Sequence, residues 1–176
     1  MIKLLKLLLS ISILPTILGC GLLESAIGDL LTFEAEEKTS LIIEQSYTSI
    51  TNRQVSLPIS LPTNFSNELK SRGATLDSFS DIVITGVQLT IQSPTGKNFD
   101  FLKDITFDVS DEVIANLEEV PENQDSIKLN TTELNLLPFI KDDLISIEMT
   151  FEFLETIPED YTTELTFSFA IKANVL

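Results

Sequence analysis

Two segments near the carboxyl terminus alternate apolar and polar residues with a period of two. In residues 144–154, Ile, Met and Phe occupy every second position, and residues 165–175 repeat the pattern with Leu, Phe, Ile, Ala and Val. Successive side chains of a β-strand point to opposite faces, so each segment predicts a strand with one buried and one solvated face. Such strands are typical of antiparallel sheets.

Shorter segments with the same alternation occur earlier in the chain. The first, residues 55–61, contains Pro58 and is followed by Pro62. Because proline has no amide hydrogen to donate to a neighbouring strand, we expect this segment at the edge of a sheet. The other predicted strands are residues 41–50, 87–91, 105–109, 113–120 and 126–129.

The order of these segments predicts the fold class. About seven or eight strands, with only short helical turns predicted near residues 66–71 and 132–141, leave no room for the crossover helices of a parallel sheet. We expect an all-β domain over residues 41–176, in which two antiparallel sheets pack as an immunoglobulin-like β-sandwich. A closed barrel is the alternative. The phenylalanines are expected to lie in the core.

The first twenty residues differ from the rest. Lys3 and Lys6 precede an apolar stretch of Leu and Ile, and the segment ends in Gly19 and Cys20. A basic start, an apolar stretch too short for a permanent membrane span, and small residues at the end are the parts of a secretory signal peptide. No later segment is apolar over the length of a transmembrane helix.

The residues Ile17-Leu18-Gly19-Cys20 resemble the lipobox of bacterial lipoproteins. The resemblance implies that residues 1–19 are a lipoprotein signal peptide cleaved between Gly19 and Cys20. It also implies that Cys20 carries diacylglycerol and a further acyl chain on its amine, enough for stable membrane anchoring. Ile17 stands where Leu is commonest in the family, and Leu18 where a small residue is usual. Without the resemblance, Cys20 follows a conventional signal peptide or belongs to an uncleaved apolar anchor.

Residues 20–40 are predicted to be the lipid anchor and tether. Apolar residues between Leu22 and Leu31 recur at helical spacing, which predicts either a linker that covers one end of the domain or a helix that binds the membrane or a partner. In enteric lipoproteins an Asp after the cysteine favours the inner membrane. The resemblance therefore implies that Gly21 directs the chain to the outer membrane.

Composition excludes several kinds of chemistry. The chain has no His or Trp and a single Cys, so it has no Ser-His-Asp triad, imidazole metal site or internal disulfide. A net charge of −16, from 27 acidic and 11 basic residues, argues against nucleic-acid binding. Glycine-rich phosphate loops and S-x-x-K motifs are also absent. We expect no enzymatic activity and no cofactor.

Carboxylates are the only abundant reactive groups. A glycosidase pair is disfavoured because sugar sites usually need aromatic platforms, and the chain has only two tyrosines. Calcium binding is a better use of clustered carboxylates, but a solvated acidic surface is the favoured interpretation. The clusters are Asp100, Asp104, Asp108, Asp111 and Glu112; Glu118, Glu119, Glu122 and Asp125; and Asp142 with Asp143.

The sequence as a whole predicts a lipid-anchored β-sandwich of the bacterial cell envelope with a non-enzymatic binding or structural role. Its expected partners are the membrane, through the lipid on Cys20, and an envelope protein or surface polymer. The alternatives are a carrier that holds a small ligand or lipid between its sheets, and an adhesion module stabilised by calcium.

Overall fold

A computed structural model describes residues 32–49, 53–65, 67 and 79–173 of the 176-residue chain. The predicted signal peptide, Cys20 and most of the predicted tether lie outside these residues, as does nearly all of the helical turn predicted near residues 66–71. Among the described residues, none forms a helix of the length and hydropathy needed to cross a membrane.

The described chain is built from eight strands, and every pairing between them is antiparallel. An all-β antiparallel fold is therefore confirmed. Single 3-10 turns occur at Gln45–Ser49 and at Leu137–Phe139, the second within the helical turn predicted at 132–141. The strands are β1 (Thr32–Ile43), β2 (Gln54–Pro62), β3 (Phe79–Ser93), β4 (Leu102–Val109), β5 (Glu112–Leu117), β6 (Ser126–Thr131), β7 (Leu144–Phe153) and β8 (Tyr161–Ala173).

Period-two alternation fixes which face of each strand is buried. In β7, Ile145, Met149 and Phe153 are buried while Ser146 and Glu148 on the opposite face are exposed. β8 follows the same rule, with Phe167 and Phe169 completely buried. Burying one such side chain is worth roughly 1.5–3 kcal/mol. The predicted burial of both strands is confirmed, as is that of seven phenylalanines: Phe99, Phe101, Phe107, Phe151, Phe153, Phe167 and Phe169. Phe33 and Phe139 are partly buried.

The strands form one continuous sheet in the order β1-β8-β3-β6-β5-β4-β7-β2. The two four-stranded halves meet through a short ladder between β5 and β6, in which Ala115 pairs with Thr131 and Asn116 with Asn130. Two separate sheets were expected, and this ladder joins them. The proline-containing β2 lies at one end of the order and, of the described strands, pairs with β7 alone, which confirms its predicted place at an edge.

Strand pairing is nested along the chain. β1 pairs with β8, β2 with β7, β3 with β6 and β4 with β5, while β3–β8 and β4–β7 ladders join these pairs sideways. This is the connectivity of a jelly roll, made of two Greek keys. It differs from the immunoglobulin-like order that we expected. Local alternation identifies strands and their buried faces but not which strands pair, so the sequence pattern did not distinguish the two.

The first strand begins earlier than expected. β1 starts at Thr32, within the predicted tether of residues 20–40, and ends at Ile43, so residues 45–49 form a 3-10 turn where a strand was predicted. The alternation in β1 was hard to recognise because Glu37 and Thr39 share its partly buried face with apolar residues. This face meets the far edge of the sheet, where the Asn64 amide donates to Glu37 Oε1 at 2.9 Å. β1 and β2 approach each other without forming a ladder.

Candidate functional site

Antiparallel pairing divides the strand ends between two ends of the sheet. β1 begins at Thr32 at one end of the sheet. We call the other end the distal end: β1 and β7 end there, and β4 and β8 begin there. A cleft of about 630 Å³ opens at the distal end, and we call it the distal cleft. It is lined by Asp100, Leu102, Lys103, Glu119, Val120, Glu122, Leu154 and Glu155.

Three chain segments that are distant in sequence form the walls of the distal cleft. The Val120 amide donates to the Lys103 carbonyl at 2.9 Å, which joins the loop after β5 to β4. The Leu154 amide donates to the Phe101 carbonyl at 2.8 Å, and the Arg53 guanidinium donates to the Leu154 carbonyl. These bonds hold all three segments in register, so the cleft is formed before any ligand arrives.

Two carboxylates hold the loop that follows β5. Glu119 and Asn123 adopt left-handed backbone conformations, with φ of 56° and 60°, which cost side-chain-bearing residues about 1 kcal/mol or more. The amide of Glu119 donates to Asp104 Oδ1 at 3.0 Å, and the amide of Asn123 donates to Asp100 Oδ1 at 2.6 Å. The bond from Glu119 lowers the pKa of Asp104; burial opposes this effect and Lys103 adds to it.

The floor of the distal cleft is apolar. Leu102 is buried, Val120 is partly buried, and Leu154 leaves 49% of its surface exposed. Leu154 follows the inward-facing Phe153 directly and therefore falls on the solvent side of the alternation. Its exposure was not predicted from the sequence, although two consecutive apolar residues at a strand end were a visible signal.

The charge around the distal cleft is negative. Lys103, the basic residue in its lining, contacts Glu152 Oε1 at 2.9 Å and Asp104 Oδ2 at 3.1 Å, neither of which lines the cleft. The hydrogen bonds that the Lys103 ammonium group donates to Glu152 and Asp104 raise the pKa of Lys103. The four carboxylates of the lining, Asp100, Glu119, Glu122 and Glu155, form no ion pair among the described residues.

A second acidic group lies on the outer surface toward the opposite end. Asp108 stands directly across the β4–β7 ladder from Glu148, and a surface cleft of about 310 Å³ is lined by both and by Asp111. Burial raises the pKa of Asp108, and Glu148 and Asp111 raise it further. Glu112 begins β5 after the turn, with its side chain exposed.

The remaining predicted carboxylates are dispersed. Asp142 and Asp143 form the turn before β7, with φ of 52° and 57°, and the carbonyl of Asp143 accepts the Thr63 amide at 2.8 Å. Glu118 directly follows β5 and Asp125 directly precedes β6, and both are exposed. Across residues 32–49, 53–65, 67 and 79–173, no three carboxylates converge closely enough to hold a metal ion. The structure thus brings Asp100, Glu119 and Glu122 together, and leaves Gly19 and Cys20 outside the described residues.

No protein family matches this chain, and no curated protein is similar to it.

Proposed function

We propose that this protein is a lipoprotein of the bacterial cell envelope whose folded domain has a non-enzymatic binding role. The observation that carries the proposal is the lipobox-like sequence Ile17-Leu18-Gly19-Cys20, placed after two lysines and an apolar stretch. Cys20 would carry the acyl chains that hold the protein to the membrane. Gly21 after the cysteine favours the outer membrane over the inner.

The positions of the first strand and of the distal cleft at opposite ends of the domain are compatible with an N-terminal anchor. β1 begins at Thr32, so roughly twelve residues join the sheet to Cys20, at most about 40 Å of extended chain. The distal cleft lies at the opposite end of β1, another ~40 Å along a strand of 12 residues. The distal cleft therefore lies at the end of β1 farther from the point where the chain continues toward Cys20.

The chemistry of the described residues supports binding rather than catalysis. The chain has no histidine, and Lys103, the base in the distal cleft, is held in two ion pairs. The acidic surface of the domain would be repelled by anionic lipid head groups. Attachment to the membrane would therefore depend on the acyl chains rather than on the surface of the domain.

For the fold, we propose that the two halves of the sheet, β1-β8-β3-β6 and β5-β4-β7-β2, act as the two layers of a sandwich. Aromatic contacts between the halves support this description: Phe107 of β4 packs on Phe167 of β8, and Phe101 packs on Tyr161 with ring centroids 4.8 Å apart. Facing layers that share one core in this way are typical of β-sandwiches.

The alternative functions have less support. A carrier needs an apolar cavity between the two halves, and large side chains with almost no exposed surface, among them Phe107, Phe151 and Phe167, occupy that space. A calcium-stabilised adhesion module needs six to eight oxygen ligands around one point. In the part of the chain that is described, the carboxylates are too dispersed to supply three.

The experiment that tests the anchor compares intact masses of the full chain and its Cys20→Ser variant, expressed in a Gram-negative host. We expect the wild type in the membrane fraction, without residues 1–19 and with the mass of its acyl chains. The Cys20→Ser variant should lack that mass. Ser10→Thr, inside the predicted leader but outside the lipobox, is the matched control and should behave as wild type. A wild-type protein with an unmodified cysteine would contradict the proposal.

A further inference from the structure

We propose that the distal cleft is a docking site for a basic polypeptide segment. In this arrangement a Lys or Arg side chain of the partner lies with its alkyl stem on Val120 and Leu154 and its cationic group among the carboxylates of the lining. The inference rests on the proposed binding role and names the chemistry of the partner.

Charge complementarity is the first argument. Asp100, Glu119, Glu122 and Glu155 line one cleft without forming ion pairs within the described residues. Lys103 does not neutralise them because its ammonium group is engaged by Glu152 and Asp104. A cleft with low-dielectric walls and charges of one sign focuses the field and attracts ligands of the opposite sign. The excess of negative charge in the lining therefore favours a cationic ligand.

The apolar floor decides which cation fits. Lysine and arginine bury their methylene stems on apolar surface while the charged group remains at the polar rim. Leu154, exposed over 49% of its surface, provides such a platform next to Glu155. A metal ion would gain nothing from this leucine, and no three described carboxylates converge to hold one. The volume of about 630 Å³ is within the range of binding clefts and leaves room for more than one side chain.

The walls are preorganised for such a ligand. The loop that carries Glu119 and Glu122 is fixed to β4 through the amides of Glu119 and Val120, and to Asp100, just before β4, through the amide of Asn123. A rigid site loses less conformational entropy on binding than a flexible one, which favours affinity. Asp104 and Asp100 therefore position the loop, while Glu122 and Glu155 remain available to the partner.

The test titrates the full chain, in neutral detergent at low ionic strength, with a synthetic peptide of alternating lysine and serine, by calorimetry. The cleft variant is Glu122→Gln combined with Glu155→Gln. The matched control is Glu112→Gln combined with Glu133→Gln, which removes the same charge from exposed positions outside the cleft. We expect the cleft variant to bind about fivefold or more weakly and the control to stay within about twofold of wild type. Leu154→Ser should also weaken binding.

Several results would overturn the proposal. An equal loss of peptide affinity in the cleft and control variants would show attraction by net charge alone. A wild type that does not bind the peptide would show that the distal cleft is not a docking site. An unchanged affinity in Leu154→Ser would remove the floor contact. Because a variant can fail to fold, the wild type is also cross-linked to a photoreactive form of the peptide. Adducts on residues of the distal cleft are expected, and adducts elsewhere would contradict the assignment.

Partner capture separates this inference from the proposed function. The anchored wild type and the cleft variant are cross-linked in the envelope and their adducts compared. If both capture the same protein equally, the binding role stands and the cleft assignment falls. If the wild type captures no envelope component, the binding role itself fails. Loss of a basic partner in the cleft variant alone supports both.

Discussion

The rings of Phe107 in β4 and Phe167 in β8 meet edge to face in the centre of the domain, with centroids 5.9 Å apart and an interplanar angle of 80°. Both side chains are completely buried, although β4 and β8 are not neighbours in the sheet. The contact therefore joins the two halves of the sheet through their side chains rather than through backbone hydrogen bonds.

This contact predicts coupled stability effects. Phe107→Leu and Phe167→Leu should each lower the free energy of unfolding by about 1–2 kcal/mol through lost packing. Together they should cost less than the sum by roughly 0.5–1.5 kcal/mol, because the second substitution no longer breaks the ring contact. Urea denaturation of the wild type, the two single variants and the double variant measures this coupling. Strict additivity would show that the halves do not share the contact. The matched pair Phe107→Leu and Phe65→Leu, whose rings are not in contact with each other, should be additive.

Asp104 should stabilise the loop that follows β5 by accepting the Glu119 amide. Asp104→Ala removes the acceptor and should lower stability by about 1 kcal/mol, or ~2–4 °C in Tm. Asp104→Asn keeps an acceptor oxygen and should lose less stability.

The lowered pKa of Asp104 means that its charge contributes stability above the ordinary value of 3.8, and that this contribution is lost as pH falls through the folded-state pKa. The difference between wild type and Asp104→Asn should therefore vanish in acid. Thermal melts across pH test this, and a constant difference would contradict it.

The ionised carboxylate of Asp108 should lower the stability of the fold, whereas that of Asp104 raises it. Its pKa is raised, so the ionised form costs stability at neutral pH, and protonation removes that cost as pH falls through the folded-state pKa toward the ordinary value of 3.8. Relief of the like-charge pair with Glu148 is worth roughly 0.2–1 kcal/mol. Asp108→Asn should therefore melt a few degrees higher than wild type at neutral pH and show no gain below the ordinary pKa. Glu112→Gln is the control, and an equal gain there would reduce the effect to overall charge.

The prolines of β2 should protect the open edge of the sheet. Replacing Pro58 and Pro62 by Thr supplies two amide donors to an edge that, among the eight described strands, has no partner on its far side. We expect self-association at roughly tenfold lower protein concentration, measured by sedimentation. Ser60→Thr in the same strand adds β-propensity without a donor and should remain as wild type. Equal association of both variants would show that propensity, not the missing donors, controls the edge.

The distal cleft was only partly predictable. Asp100, Glu119 and Glu122 were recognised as acidic clusters because carboxylates are visible in any sequence. Their meeting with Leu154 and Glu155 was not, since these residues lie more than thirty positions away and reach the cleft through the β4–β7 ladder. Asp104 and Asp108 show the same limit. They look alike in sequence, yet their pKa values move in opposite directions, because Asp104 accepts the Glu119 amide whereas Asp108 is partly buried and also faces Glu148.

The sequence by itself determined most of the strands of this protein, and the buried faces of those that alternate, because a period of two is a local property of an extended backbone. It also determined that β2 is an edge, since a missing amide hydrogen needs no partner to be recognised. Only the tertiary structure decided that β1 starts at Thr32, that pairing is nested as in a jelly roll, and that three segments meet at the distal cleft. These features depend on which strands pair across large sequence separations, and many pairings satisfy the same alternation until one shared core selects among them.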